Sequence, residues 1–365
     1  MDEVGLDPLN LDSLDSLREI PGVGEKIAGR MEDFFGSEEG ALGRIREGDV
    51  ASLSTVPGLT EAKDSLSLNP SEKTSKPESK FDLDLEDYPN ARSLVNMIRA
   101  CYMQGGEEIR VFSSKGTIVE EKESLRAVPS DLIGGEVVLD RPDEFAIQVL
   151  VDPTRFTISN ILFRISDLIS SMQKDSIEAL RSASATLASD ASDRGGEINR
   201  LYRLMIRQLE ISAEDKTVAD SIGIKNRLET IHYAIAARDL SRMGYHIVKV
   251  AKRVGNLKTE IKPEIMDLIV DLSDTVSDMR EKAVKSLLSN DYKLANEVFT
   301  NMDKVKKLDQ HTTQYLLDKS IKPENSNKLI SLTSSLRRAA GHTVAIGDVA
   351  TNKAALLKRN GSIRK

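Results

Sequence analysis

From about residue 158 to residue 354, apolar side chains recur in steps of three and four. Ile161, Ile165, Leu168 and Met172 form one seam, and Leu268, Leu272, Val276, Met279 and Ala283 form another. Leu294, Val298, Met302, Val305, Leu308 and Thr312 make a third, and Leu332, Leu336, Ala339, Thr343 and Ile346 a fourth. A stripe at this spacing is one face of an α-helix, and a succession of long stripes predicts helices packed nearly antiparallel in a bundle. Six helices fit, at about 158–185, 189–212, 222–256, 262–289, 291–319 and 325–354. Asn290-Asp291 and Pro323-Glu324-Asn325-Ser326 supply turn and cap chemistry between them.

Upstream the period changes. Ala91 to Met103 places Leu94, Met97, Ile98 and Cys101 on one helical face, and Gly105-Gly106 stops it. Glu108–Ser113 alternates as a strand should. Glu136–Asp140 and Phe145–Val151 are two more strands, joined as a hairpin through Arg141-Pro142-Asp143. Residues 70–90 are polar, bear Pro and Ser, lack apolar periodicity and read as a linker. In front of them, residues 10–66 show short helical segments, the first with Leu14, Leu17 and Ile20 behind a cap at Asp12 or Asp15. The expected order is a head (1–69), a linker (70–90), a small α/β segment (91–157) and a helical bundle (158–365) with a basic tail. The fold class is mainly α.

The bundle repeats internally. Leu240-Ser241-Arg242-Met243-Gly244-Tyr245-His246 echoes Leu336-Arg337-Arg338-Ala339-Ala340-Gly341-His342, an offset of 96. Ile198, Leu201 and Leu209 correspond to Val305, Leu308 and Leu316 at an offset of 107. The 11-residue excess falls between Leu209 and Leu240, where Ser212–Gly223 reads as an extended loop. Three helices, twice, is therefore the architecture.

Residues 240–246 and 336–342 are similar to the stretch near Leu-Glu-Arg-Ile-Gly-Asp-His in the third helix of each repeat of PhoU-type phosphate-uptake regulators. Glu197–Tyr202 to Gln208-Leu209 resembles the second helix of archaeal members. The run from Ala91-Arg92-Ser93-Leu94 through Gly105-Gly106 and Glu108–Val111 to Val149–Pro153 also looks like these archaeal proteins, so the likeness covers about 91–352. Archaeal relatives often carry a swapped-hairpin DNA-binding domain in front; here that position holds something different. The resemblance implies a duplicated three-helix bundle and a cytoplasmic regulator of phosphate uptake and phosphate homeostasis. It implies partners that are regulatory or transporter-associated proteins, and homo-oligomeric assembly.

In that family the Glu and Asp of the motif lie four apart and bind a metal cluster. Here the Glu positions are Ser241 and Arg337 and the Asp positions are Tyr245 and Gly341, so no metal and no cofactor is expected. Arg242, His246, Arg338 and His342 remain at equivalent places in the two repeats. Functionally His246 and His342 read as a ligand pair or a phosphate contact, and Arg242 and Arg338 as contacts to phosphate or to an acidic partner. Structurally they read as histidines packed and hydrogen-bonded inside the bundle beside arginines on a solvated face. Asp271, Asp274 and Asp278 line one helix; Asp274 and Asp278 are spaced to hold a cation, and a solvated acidic stripe is the plainer account.

The head carries Leu17–Ala28, with Pro21-Gly22-Val23-Gly24-Glu25-Lys26, which resembles the helix-hairpin-helix DNA-binding motif. Pro21 ends a helix, Gly22 and Gly24 permit positive φ, and the next helix N-terminus aims its amides at an anion. Lys26 and Arg30, one turn apart, would pair with a phosphate backbone. Leu53–Lys63 is a second, degenerate copy in which Thr60 replaces the second Gly. Pro21, Gly22, Gly24, Lys26 and Arg30 are thus the candidate nucleic-acid contacts.

Charge weighs against that reading. Residues 1–69 hold 6 Lys/Arg against 15 Asp/Glu, a net −9, whereas nucleic-acid affinity draws on positive charge. Residues 161–365 hold 34 against 26, a net +8, ending in Lys353, Lys358, Arg359, Arg364 and Lys365. Two functions therefore stand. One is the regulator, acting by protein binding and linked to DNA only through the head. The other is a DNA-binding architectural or repair accessory protein in which the bundle serves oligomerisation. An enzyme is not expected, because no nucleophile–base order, P-loop or Cys/His cluster is present. The 365 residues contain one cysteine, Cys101, which suits a reducing compartment and reads as a small buried hydrophobe. There is no 18-residue apolar run and no apolar stretch behind the acidic N-terminus, so neither a membrane span nor a signal peptide is expected.

Overall fold

The computed structural model describes residues 16–19, 25–46, 79–257, 261–318 and 323–359. The chain divides into two compact units, Met1–Pro77 and Glu78–Lys365. The described part of the first unit is a 3-10 turn at Leu17–Glu19 followed by α1 (Glu25–Phe35) and α2 (Glu38–Arg46). Leu17, Ala28, Met31, Ala41, Leu42 and Ile45 are buried. Glu38 ties the turn to α2: its carboxylate accepts from Ser16 Oγ at 2.6 Å and from the Leu17 amide at 2.9 Å, and pairs with Arg18 at 3.3 Å. These bonds, the Ser16 hydroxyl first, hold the Glu38 carboxyl below its usual range.

The second unit opens with β1 (Lys80–Asp84), α3 (Ala91–Met103), β2 (Glu108–Phe112), α4 (Lys122–Ala127), β3 (Gly135–Arg141) and β4 (Glu144–Val149). The sheet order is β1-β2-β4-β3, with β1 parallel to β2 and the remaining pairs antiparallel. The β3–β4 hairpin turns at the expected Arg141-Pro142-Asp143. β1 lies inside the stretch expected to be linker. It pairs Phe81 with Ile109 and Leu83 with Val111, and α3 crosses over from β1 to β2. Leu94, Ile98, Cys101 and Tyr102 of α3 pack on Ile109, Val111, Phe145 and Ile147 to form a small core. Cys101 is buried there and burial pushes its thiol pKa up.

The bundle comprises α5 (Ile158–Ser182), α6 (Ala185–Asp193), α7 (Gly195–Glu214), α8 (Lys216–Ile222), α9 (Leu228–Gly255), α10 (Pro263–Ser289), α11 (Tyr292–Asp318) and α12 (Pro323–Arg359). Thr157 caps α5 by accepting from the Asn160 amide at 3.2 Å. Asn290, at φ 59°, closes α10 in the left-handed region that Asn tolerates better than most residues. The long helices form two sets of three, α5-α7-α9 and α10-α11-α12. The stretch 212–223, expected as an extended loop, is instead the end of α7 and the short α8. Asp215 breaks the chain between them and caps α8, accepting from the Thr217 and Val218 amides at 2.9 and 3.2 Å. The seam residues named from the sequence are mostly buried, with Ile165, Leu272, Val276, Val298, Leu332 and Leu336 fully so.

Two polar anchors join the sheet to the bundle. Buried Arg207 of α7 donates through Nη1 to the carbonyls of Tyr102 and Gly106 at 2.9 and 2.8 Å and lies over the Tyr102 ring. Gln208 donates to the carbonyls of Pro153 and Phe156 at 2.9 and 3.0 Å. Of the residues expected to form a basic tail, Lys353, Lys358 and Arg359 belong to α12. Lys353 is buried, donating to Tyr233 Oη at 2.7 Å and to the Leu287 carbonyl at 3.2 Å, with Glu229 at 3.8 Å. Burial lowers its pKa. Arg364 and Lys365 lie outside the described residues.

Candidate functional site

α9 and α12, the third helices of the two repeats, run antiparallel in contact. Three rungs fix their register: Tyr233 with Lys353, His246 with His342, and Arg253 with Ser335. The imidazoles of His246 and His342 stack with centroids 5.5 Å apart and planes 24° apart. The duplicated signature thus brings its two histidines together across the repeat interface. His342 Nδ1 is 2.8 Å from Asp239 Oδ1. His246 is 9% exposed, and its Nδ1 is buried without a hydrogen-bond partner among the described residues.

Burial lowers the His246 pKa to about 4, helped by the charges of His342, Lys249, Arg338 and Arg253. His246 is therefore neutral at physiological pH. Beside it Tyr245 is exposed, and Lys249 Nζ stands 4.4 Å from its ring centroid. A hydrogen bond with Lys249 and that lysine's charge lower the Tyr245 pKa, with smaller contributions from Arg253 and Arg338. Arg242 and Arg338 are both exposed. Arg338 belongs to the charge environment of both rings, whereas Arg242 lies one helical turn before Tyr245 on the solvent side of α9. Lys249 and Arg253 were not among the residues singled out from the sequence. At the repeat offset of 96 they correspond to Ala345 and Val349, so the duplication gave no signal for them.

The four positions where the resemblance expects carboxylates are engaged otherwise. Ser241 Oγ donates to Asn199 Oδ1 at 3.4 Å, and Arg337 Nε pairs with Asp309 Oδ2 at 2.9 Å. Tyr245 holds Lys249, and Gly341 has no side chain. These residues do not fit a metal cluster: a cation would meet a paired guanidinium in one repeat and an ammonium-capped phenol in the other. Among the described residues no three His, Cys, Asp or Glu side chains come together as a metal-holding group. On α10, Asp278 is paired with Lys282 at 2.9 Å and accepts from Asn301 at 2.9 Å, so it belongs to a surface ion-pair network.

In the head, Lys26 and Arg30 are exposed on α1, one turn apart as expected. Pro21, Gly22 and Gly24 lie outside the described residues, as does the second hairpin at Leu53–Lys63. No described helix is long and apolar enough to cross a membrane.

Residues 162–254 and 269–357 each match the PhoU domain. The first interval runs from α5 through α9 and the second from α10 through α12, one domain per repeat. Among solved structures, PhoU from Pseudomonas aeruginosa is 20% identical at a TM-score of 0.48, covering 56% of this chain and 96% of its own. The phosphate transport system regulatory protein PhoU from Streptococcus pneumoniae is 15% identical at a TM-score of 0.45, covering 57% and 96%. No curated protein matches the chain.

Proposed function

From the premise that this chain carries two PhoU domains in tandem, we propose that it is a regulator of phosphate uptake that acts by binding a transporter-associated protein. The observation that carries this reading is the coincidence of each matched PhoU domain with one three-helix repeat, joined at the α9–α12 interface. The site at that interface offers cations, a phenol and stacked imidazoles, which bind and position charge. Binding is the chemistry these groups support. The same reading extends to assembly as a homo-oligomer.

The test is the uptake of labelled phosphate by cells with and without the chain. Loss of the chain should leave uptake high when external phosphate is plentiful. Normal repression of uptake in its absence would overturn the proposal. Salt-dependent duplex binding by the intact chain, combined with normal repression, would point instead to a DNA-associated protein that uses the Lys26 and Arg30 face of the head.

A further inference from the structure

The α9–α12 register gathers cations that no carboxylate among the described residues pairs with. The His246–His342 stack and the Arg253–Ser335 bond lie seven residues apart on each helix. Between those rungs stand Lys249 on α9 and, level with it on α12, Arg338. Arg253 Nη1 is held by Ser335 Oγ at 3.0 Å and by the Lys249 carbonyl at 3.1 Å, both neutral groups. Residues 240–255 contain no Asp or Glu, and neither do residues 325–347. Asp239, the nearest carboxylate on α9, is ten residues back from Lys249, about 15 Å along the helix, and is bonded to His342. Asp309 is paired with Arg337. Among the described residues none gives Lys249, Arg253 or Arg338 a carboxylate partner.

Like charges gathered on one seam repel at a cost that an anion between them would remove. A second observation points the same way: His246, nine-tenths buried one turn before Lys249, carries an Nδ1 with no hydrogen-bond partner among the described residues. We propose that the α9–α12 seam at Tyr245, Lys249, Arg253 and Arg338 binds a small multivalent oxyanion of the phosphate type. Two guanidiniums offer planar forks to paired oxygens, Lys249 a point charge and Tyr245 a hydroxyl donor. Where the family resemblance expects carboxylates around a cation, this chain places cations around an anion. The inference is independent of which protein the chain regulates, since the anion site stands or falls on the charges of this seam.

Calorimetric and 31P NMR titration of the full chain with inorganic phosphate and with pyrophosphate, in about 0.1 M chloride, tests it. One saturable site is expected, weakened about tenfold or more by Arg338→Glu and by Lys249→Glu, with Lys249→Gln as a milder variant if either charge reversal unfolds the bundle. The His246 imidazole resonance should titrate at higher pH with the anion bound than without it. Tighter binding of phosphate than of pyrophosphate would identify the free ion as ligand, and the reverse order a phosphoryl group of a larger molecule; both support the site. No saturable binding of either anion up to about 10 mM, or unchanged affinity in folded Arg338→Glu and Lys249→Gln variants, would overturn it.

Discussion

Replacing His246 with Gln should make the bundle less sensitive to acid. In the folded chain burial, and then His342, Lys249, Arg338 and Arg253, lower the His246 pKa from 6.5 to about 4. The unfolded chain restores the ordinary value, so between these two limits the unfolded state binds more protons than the folded one. Stability contributed by this group is therefore complete above pH 6.5 and is lost progressively as pH falls toward 4. Each unit of pKa difference is worth about 1.4 kcal/mol, so the loss is about 2 kcal/mol at pH 5 and approaches about 3 kcal/mol near pH 4. Carboxylates also titrate below pH 5, which makes the difference between the two chains the useful quantity. Thermal melts followed by circular dichroism at pH 7.5, 6.5, 5.5 and 5.0 should show the unaltered chain losing about 4–8 °C more than His246→Gln over that range. Parallel melting profiles would refute the reasoning, because they would mean that His246 is as free to protonate in the folded chain as in the unfolded one.

Three further outcomes follow from packing and from the signature positions. Arg207→Met removes the donor shared by the Tyr102 and Gly106 carbonyls, and should cost roughly 2 kcal/mol by chemical denaturation, loosening the sheet from the bundle. Gly244 and Gly341 should respond in opposite directions. A Cβ at Gly244 meets Ile198 Cδ1 at 2.6 Å, so Gly244→Val should destabilise by about 1–3 kcal/mol, whereas a Cβ at Gly341 would meet nothing within 4 Å beyond its own helix backbone and chain neighbours, and Gly341→Ala should stabilise by about 0.5–1 kcal/mol through helix propensity. Chelator treatment should leave the melting temperature unchanged, given Ser241, Tyr245, Arg337 and Gly341 at the signature positions; stoichiometric iron or zinc lost together with stability would contradict it.

The long helices were legible because each buries one face against others over many turns, which writes a period of 3.6 into the chain. β1 was not. Lys80-Phe81-Asp82-Leu83-Asp84 is an edge strand, half-buried on one side, and its charged alternation reads as linker until β2 supplies a partner. The break at Asp215 misled in the other direction, since a cap inside a polar stretch reads as loop although helix continues on both sides. At the site, the duplicated histidines and arginines stood out because they recur. Lys249 and Arg253 do not recur, and their meaning depends on α12 lying antiparallel beside them with no carboxylate paired to them among the described residues, which is a property of register and not of local sequence.

Regulation of phosphate uptake through a protein partner can be tested by purifying the tagged full chain from phosphate-replete and phosphate-starved cells and identifying what comes with it. The ATPase subunit of a phosphate transporter should co-purify, in an amount that changes with phosphate supply, and the two purified proteins should bind each other. Absence of that subunit under both conditions, with no binding between the purified proteins, would contradict it.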